Sequence, residues 1–176
     1  NDTIAKLHNV DFNKVNLADY GKHENYMGRQ IHRWTKQYKD SETQMIPEIN
    51  ELIEWLPKNI PSDQETSIVH GDFRLDNMIF DPITHEVKAI LDWELSTLGN
   101  PIADFTYHMM SWRLPAGAKG LGMMGSDLKS LNIPSESEYA ELYYKKTGRE
   151  KIDNWDFYMA YNIFRLAGIA QGIVVG

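Results

Sequence analysis

His70-Gly71-Asp72-Phe73-Arg74-Leu75-Asp76-Asn77 is the stretch whose reading decides this chain. A second stretch, Leu91-Asp92-Trp93-Glu94, completes it, with Asp92 fifteen residues beyond Asn77. Around both, the sequence has the texture of short strands. Ser67-Ile68-Val69-His70 and Met78-Ile79-Phe80 are strand candidates, and Val87 to Leu91 is a third. The turn Asp81-Pro82-Ile83-Thr84-His85-Glu86 joins the last two as a hairpin. This strand–loop–strand order gathers polar side chains at a strand end, with Met78-Ile79-Phe80 expected to anchor the loop in the core.

Those polar residues suit one kind of chemistry. Phosphoryl transfer needs a carboxylate near the acceptor hydroxyl, and oxygen ligands that hold Mg²⁺ on the nucleotide phosphates. Asp72 answers the first need, and Asn77 with Asp92 the second. Asp72 and Asn77 are five residues apart, close enough for one tight loop to aim both at a single phosphate chain. His70 reads as a hydrogen-bonded structural residue of the loop and Glu94 as a helper of its geometry. The other histidines, at 8, 23, 32, 85 and 108, share no ligand spacing and read as scattered surface or core residues.

Outward from this island the periodicity becomes helical. Ile4 and Leu7 mark a short helix at the start. Asn25 to Lys39 is amphipathic, with Met27, Ile31, Trp34 and Tyr38 on one stripe and Arg29, Arg33 and Lys36 on a solvated face. Gln44 to Asn59 follows, with Met45, Ile49, Leu52, Ile53 and Leu56 inward, Pro47 in its first turn and Pro57 and Pro61 ending it. Helices resume at Ile102 to Trp112 and at Ser135 to Lys146, where Ser135 and Glu138 form a capping box. The last begins near Asp153. Gly120-Leu121-Gly122-Met123-Met124-Gly125 is a literal G-x-G-x-x-G, but no strand precedes it, so it reads as a loop and not a nucleotide cradle.

Composition narrows the classes further. The chain has 176 residues, 42% hydrophobic and 24% charged, which suits one domain with a real core. The absence of cysteine excludes disulfide scaffolds, thiolate metal sites and cysteine nucleophiles. A net charge of −7 argues against nucleic acid as a partner. The apolar stretch from Phe157 to Gly176 contains Asn162, Arg165 and Gln171, so it reads as a buried helix and not a membrane span. With no signal-peptide pattern, cytoplasmic residence is the default expectation. Asn1 without a preceding Met, and the uncapped end Ile173-Val174-Val175-Gly176, are expected to be edges of a longer polypeptide.

The pattern H-G-D-x-x-x-x-N followed by L-D-W-E resembles the aminoglycoside phosphotransferase and choline kinase-like superfamily, relatives of the protein kinases with their H-R-D-x-x-x-x-N loop. The longer element Leu91 to Pro101, Ala103-Asp104, Tyr26 to Tyr38 and Ile133-Pro134-Ser135-Glu136 are similar to the branch found with acyl-CoA dehydrogenases. The resemblance implies an α+β, mainly α fold: residues 1–176 as a single domain, the helical C-terminal lobe of a kinase-like phosphotransferase, with a small hairpin carrying the catalytic loop. It implies Asp72 as catalytic base, Arg74 in the place of the kinase catalytic-loop lysine, Asn77 and Asp92 as Mg²⁺ and ATP-phosphate ligands, and Asp104 as a buttress of the loop. Asn100 stands where relatives often have Asp. The implied function is transfer of the ATP γ-phosphoryl group to a small-molecule hydroxyl, with a hydroxyacyl compound suggested by the fusion context.

The same resemblance places a nucleotide-binding lobe upstream, and nothing before Asp72 supplies its Gly-rich β-loop or its strand lysine. The competing expectation is therefore a non-catalytic module that binds a ligand or partner, or self-associates as a homodimer through the surface where that lobe would pack.

Overall fold

The helices form where apolar residues recur at helical spacing. In the computed structural model, which describes residues 1–62, 65–117 and 122–175, α1 (Asp2–His8) buries Ile4, Ala5 and His8. α2 (Tyr26–Asp40) buries the expected stripe of Met27, Ile31, Trp34 and Tyr38. On its polar face Lys36 pairs with Asp40, and Arg29 donates to the Lys22 carbonyl at 2.7 Å.

α3 (Pro47–Trp55) is shorter than the periodicity predicts. Pro47 sits in the first turn and holds Ile46 extended (φ −113°, ψ 108°), because its ring disfavours helical geometry in the preceding residue. The helix therefore does not reach back to Gln44, and Met45 is exposed instead of inward. A 3₁₀ turn over Leu56–Lys58 ends it.

The β island differs from its expected form. β1 (Ser67–Val69) pairs antiparallel with β4 (Thr97–Gly99), Ile68 opposite Leu98. β2 (Met78–Phe80) pairs with β3 (Val87–Ile90) as a separate two-stranded sheet. The hairpin across residues 81–86 is present, with the Asp81 carboxylate accepting from the Ile83 and Thr84 N–H groups at 2.9 Å. It does not carry the loop alone. Residues 70–77 are slung between the two sheets, leaving β1 and entering β2. Of β2 only Met78 packs against the core: Ile79 and Phe80 are exposed, and Phe73 within the loop is the fully buried anchor. β4 is only three residues long and ends in glycine, so it has almost no strand propensity of its own. It exists because β1 offers it an edge.

α4 (Pro101–Met109) follows β4 without a linker. Asn100 caps it, its side-chain oxygen accepting from Ile102 and Ala103 N–H at 2.9 and 3.0 Å. α5 (Glu136–Thr147) has the expected capping box at Ser135 and Glu138 and ends on Gly148 in the left-handed region. α6 (Trp155–Val175) packs against α2 and α4, and α1 packs against α5 and β1. Phe105 stacks on Tyr143 at 3.8 Å between these layers. Each such buried aromatic contributes ~2–3 kcal/mol by burial.

α6 is apolar yet holds polar residues inside. Asn162 donates to the Ala103 carbonyl and to Thr106 Oγ1 at 2.9 and 2.8 Å, which explains its burial. Among the described residues no helix is long and apolar enough to cross a membrane. The architecture is mainly helical with two small antiparallel sheets. Gly120 and Leu121 of the G-x-G-x-x-G, Gly176, and the side chains of 173–175 lie outside the described residues. The rest of that loop folds back, with Pro115 bridging Met124.

Candidate active site

The loop is shaped first by its backbone. Gly71 has φ +88°, and a Cβ there would meet the Leu95 carbonyl oxygen at 2.7 Å, so no other residue fits without displacement. Both backbone polar groups of Gly71 are gripped by buried charged side chains. The Gly71 N–H donates to Asp104 Oδ1 at 2.8 Å, and its carbonyl accepts from Arg165 Nη2 at 2.6 Å. The His70 N–H donates to Asp104 Oδ2, also at 2.8 Å. Asp104 comes from α4 and Arg165 from α6, so the helical core fixes the loop from two sides.

Asp104 is supported in turn. His8 Nε2 lies 3.1 Å from Asp104 Oδ2, and His8 Nδ1 lies 2.6 Å from the Tyr143 hydroxyl. His8 Nε2 donates to the Asp104 carboxylate, and the ring bridges it to the Tyr143 hydroxyl. Burial would raise the Asp104 pKa. The hydrogen bond and field of His8 and the two backbone N–H donors outweigh it and hold the carboxyl below the ordinary carboxylate range.

Asp72 is half-buried at the loop's open side. Tyr107 of α4 donates its hydroxyl to Asp72 Oδ1 at 2.6 Å. Asn77 donates Nδ2 to the Asp72 carbonyl at 2.9 Å and to Oδ2 at 3.1 Å. The Asp72 N–H donates to His70 Nδ1 at 3.2 Å, while His70 Nε2 donates to the Leu91 carbonyl at 2.9 Å. Arg74 Nε stops 3.8 Å from Asp72 Oδ1, and its Nη2 pairs with Asp76 at 2.9 Å. Burial first, then the contact with Asp72, pushes the Tyr107 phenol up to about 12, so it stays a donor at neutral pH.

The second motif is stitched to the first through Leu91. Its carbonyl takes the His70 ring proton and its N–H donates to the Asn77 carbonyl at 2.8 Å. Asp92 comes next, in the left-handed region at φ 63°, a conformation that costs of order 1 kcal/mol outside glycine. Trp93 packs edge-on against His70, ring centroids 4.8 Å apart. Asp92 is exposed and its carboxylate has no hydrogen bond among the described residues. Asn77 turns its amide nitrogen to Asp72, which leaves its side-chain oxygen as the donor atom. A carboxylate and an amide oxygen fit Mg²⁺, which takes one or two protein oxygens and completes its shell with phosphates and water. Among the described residues no three His, Cys, Asp or Glu side chains cluster, so a site held by protein ligands alone does not form.

The structure thus gathers His70, Asp72, Arg74, Asn77 and Asp104 on one loop and its support, with Asp92 one residue beyond the point where Leu91 joins them. Glu94 is exposed and forms no hydrogen bond among the described residues. His8, Tyr107, Tyr143 and Arg165 belong to the site's support and carry no motif. The one available signal was an arginine three residues after an asparagine in an apolar helix, the mark of buried polar partners.

The description "Phosphotransferase enzyme family" matches residues 1–142. The chain is 47% identical over 174 residues to acyl-CoA dehydrogenase family member 10 of Mus musculus, covering 98% of this chain and 16% of that protein. A solved Ralstonia eutropha JMP134 protein, whose designation as an aminoglycoside phosphotransferase is provisional, superimposes with a TM-score of 0.93 at 52% identity. That match covers 98% of this chain and 53% of the solved one. The Streptomyces rimosus aminoglycoside phosphotransferase, solved with ADP and streptomycin, shares the fold at a TM-score of 0.59 and 15% identity, over 93% of this chain and 60% of that one. This chain therefore spans about half of the solved Ralstonia protein and a smaller part of the mouse protein.

Proposed function

Because the chain belongs to the phosphotransferase enzyme family, we propose that it carries the catalytic loop of an ATP-dependent kinase of small-molecule hydroxyls. The observation that carries this reading is the Asp72–Asn77 pair on a loop gripped by Asp104 and Arg165, with Asp92 delivered beside it by Leu91. The chain is read as the C-terminal lobe, and Leu75, Ile79, Phe80, Leu91 and Trp93, in and next to the two motifs, are exposed. ATP as donor is supported by ADP bound to the Streptomyces relative, and a small acceptor by its streptomycin. For this chain a hydroxyacyl compound is the acceptor class we favour, on the similarity to an acyl-CoA dehydrogenase family member.

Asp72 receives the proton of the acceptor hydroxyl as the oxygen forms its bond to the γ-phosphorus. The bond from that phosphorus to the β,γ-bridging oxygen breaks, and its electron pair leaves with ADP. Arg74, half-exposed beside Asp72, steadies the transferring phosphoryl group. Asn77 and Asp92 would hold Mg²⁺, which offsets phosphate charge when bound. His70 and Asp104 keep the loop in place. A cytoplasmic setting belongs to the same reading, as the compartment that supplies Mg-ATP.

Calorimetry of Mg-ATP binding to this chain and to Asp92→Ala tests the nucleotide half of the reading. Binding by the wild type and its loss in the variant are expected; equal binding by both removes Asp92 from the site. In a protein that also contains the upstream part, Asp72→Ala should lower phosphoryl transfer about 10²–10⁴-fold. Undiminished transfer refutes Asp72 as the base.

A further inference from the structure

Asp72 Oδ1 has two competing donors. The Tyr107 hydroxyl is 2.6 Å away and the Arg74 guanidinium 3.8 Å, about 1 Å beyond a charge-assisted hydrogen bond. Arg74 is half-exposed, and rotation about its own side-chain bonds is enough to close that gap. Its pair with Asp76 does not prevent this, because Asp76 is 75% exposed and such surface pairs hold weakly. Tyr107, by contrast, is fixed. It sits on α4, is 6% exposed, and lies with its ring face 4.4 Å from the guanidinium of Arg165. Arg165 is itself held by the Gly71 carbonyl and by the ring of Trp34 at 5.1 Å, and has no carboxylate partner among the described residues.

We propose that Tyr107, backed by Arg165, is the positioning residue that keeps the long Asp72–Arg74 ion pair, 3.8 Å apart, from closing to a hydrogen bond. The inference rests on Asp72 being the base of the proposed reaction. A neutral phenol fixes the orientation of the carboxylate while leaving Arg74 available to phosphate. A closed Asp72–Arg74 hydrogen bond would turn the carboxylate away from the acceptor and occupy both groups with each other.

The test is Tyr107→Phe in this 176-residue chain, which deletes one hydroxyl and keeps the ring over Arg165. A crystal structure should show Asp72 and Arg74 closed to a hydrogen bond of about 3 Å. In solution, exchange of the Arg74 Nε proton measured by NMR should slow about tenfold. A carboxylate that keeps its wild-type position, with unchanged Arg74 exchange, overturns the proposal. Asp76→Asn is the second arm, since it frees Arg74 while Tyr107 is intact. Asp72 should then stay on Tyr107 and Arg74 exchange should not slow; pairing in this variant would make Asp76 the positioning residue and also overturn the proposal. Neither readout needs phosphoryl transfer, so a failure of Asp72 as base is seen separately, in the transfer assay.

Discussion

Gly71 shows how much one residue can decide. Its φ of +88° and the 2.7 Å approach a Cβ would make to the Leu95 carbonyl leave room for hydrogen alone. Its N–H and its carbonyl are each hydrogen-bonded to a buried charge, which fixes the backbone one residue before Asp72. Gly71→Ala is expected to cost ~2–4 kcal/mol, from the left-handed backbone and the steric contact together. An unfolding free energy, measured in urea, lowered by less than a tenth of that amount would mean the loop can re-form elsewhere. His70 and Asp72 are legible as a motif because their chemistry is local to the sequence. Tyr107 and Arg165 are not, since each acts on the loop from a helix more than thirty residues away in sequence.

At the scale of elements, the junction of β4 and α4 matters most. Asn100 ends the strand, caps the helix and reaches Tyr158 of α6 at 3.3 Å, all while 1% exposed. It therefore sets the direction in which α4 delivers Asp104 and Tyr107. Asn100→Ala should destabilise the chain by about 1–2 kcal/mol through loss of the cap. Asn100→Asp should cost clearly less, because a carboxylate caps as well and can accept from the Tyr158 hydroxyl. Equal losses in thermal unfolding would show that the amide, not the cap, is what the site needs. The capping box of α5 was readable because its partners are three residues apart. The pairing of β1 with β4 was not, because a three-residue strand has no pattern and its partner is a tertiary neighbour.

The molecule as a whole should be acid-sensitive, for two reasons of definite sign. Burial pushes His108 from 6.5 down to about 4, so the unfolded chain binds its proton first. The stability from keeping it neutral is complete above pH 6.5 and is lost as pH falls toward 4, by up to about 3 kcal/mol. The lowered Asp104 carboxyl adds stability that is present above 3.8 and fades as pH drops through its folded value. Urea unfolding should therefore show a marked loss between pH 7 and 4.5. His108→Gln, which keeps a polar group able to hydrogen-bond the Tyr139 hydroxyl that lies 3.0 Å from His108 Nε2, should flatten that slope. A wild type equally stable at both pH values, or a variant with the same slope, would refute the assignment to His108.

What the sequence determined by itself was what adjacent residues can express. That includes the apolar stripes of the helices, the cap at Ser135, the proline in the first turn of α3, the 81–86 hairpin, and the presence of Asp72, Asn77 and Asp92 at their spacing. Proline chemistry also cut α3 short by a rule that needed only the residue before it. The tertiary structure decided the rest of what the loop rests on beyond Asp104, which the resemblance already implied. His8, Tyr107 and Arg165 join it from three helices, and Phe73 is the fully buried anchor where Ile79 and Phe80 of β2 are exposed. The reason is physical: a buried charge is tolerated only where distant parts of the chain bring it partners, and that convergence is a property of packing.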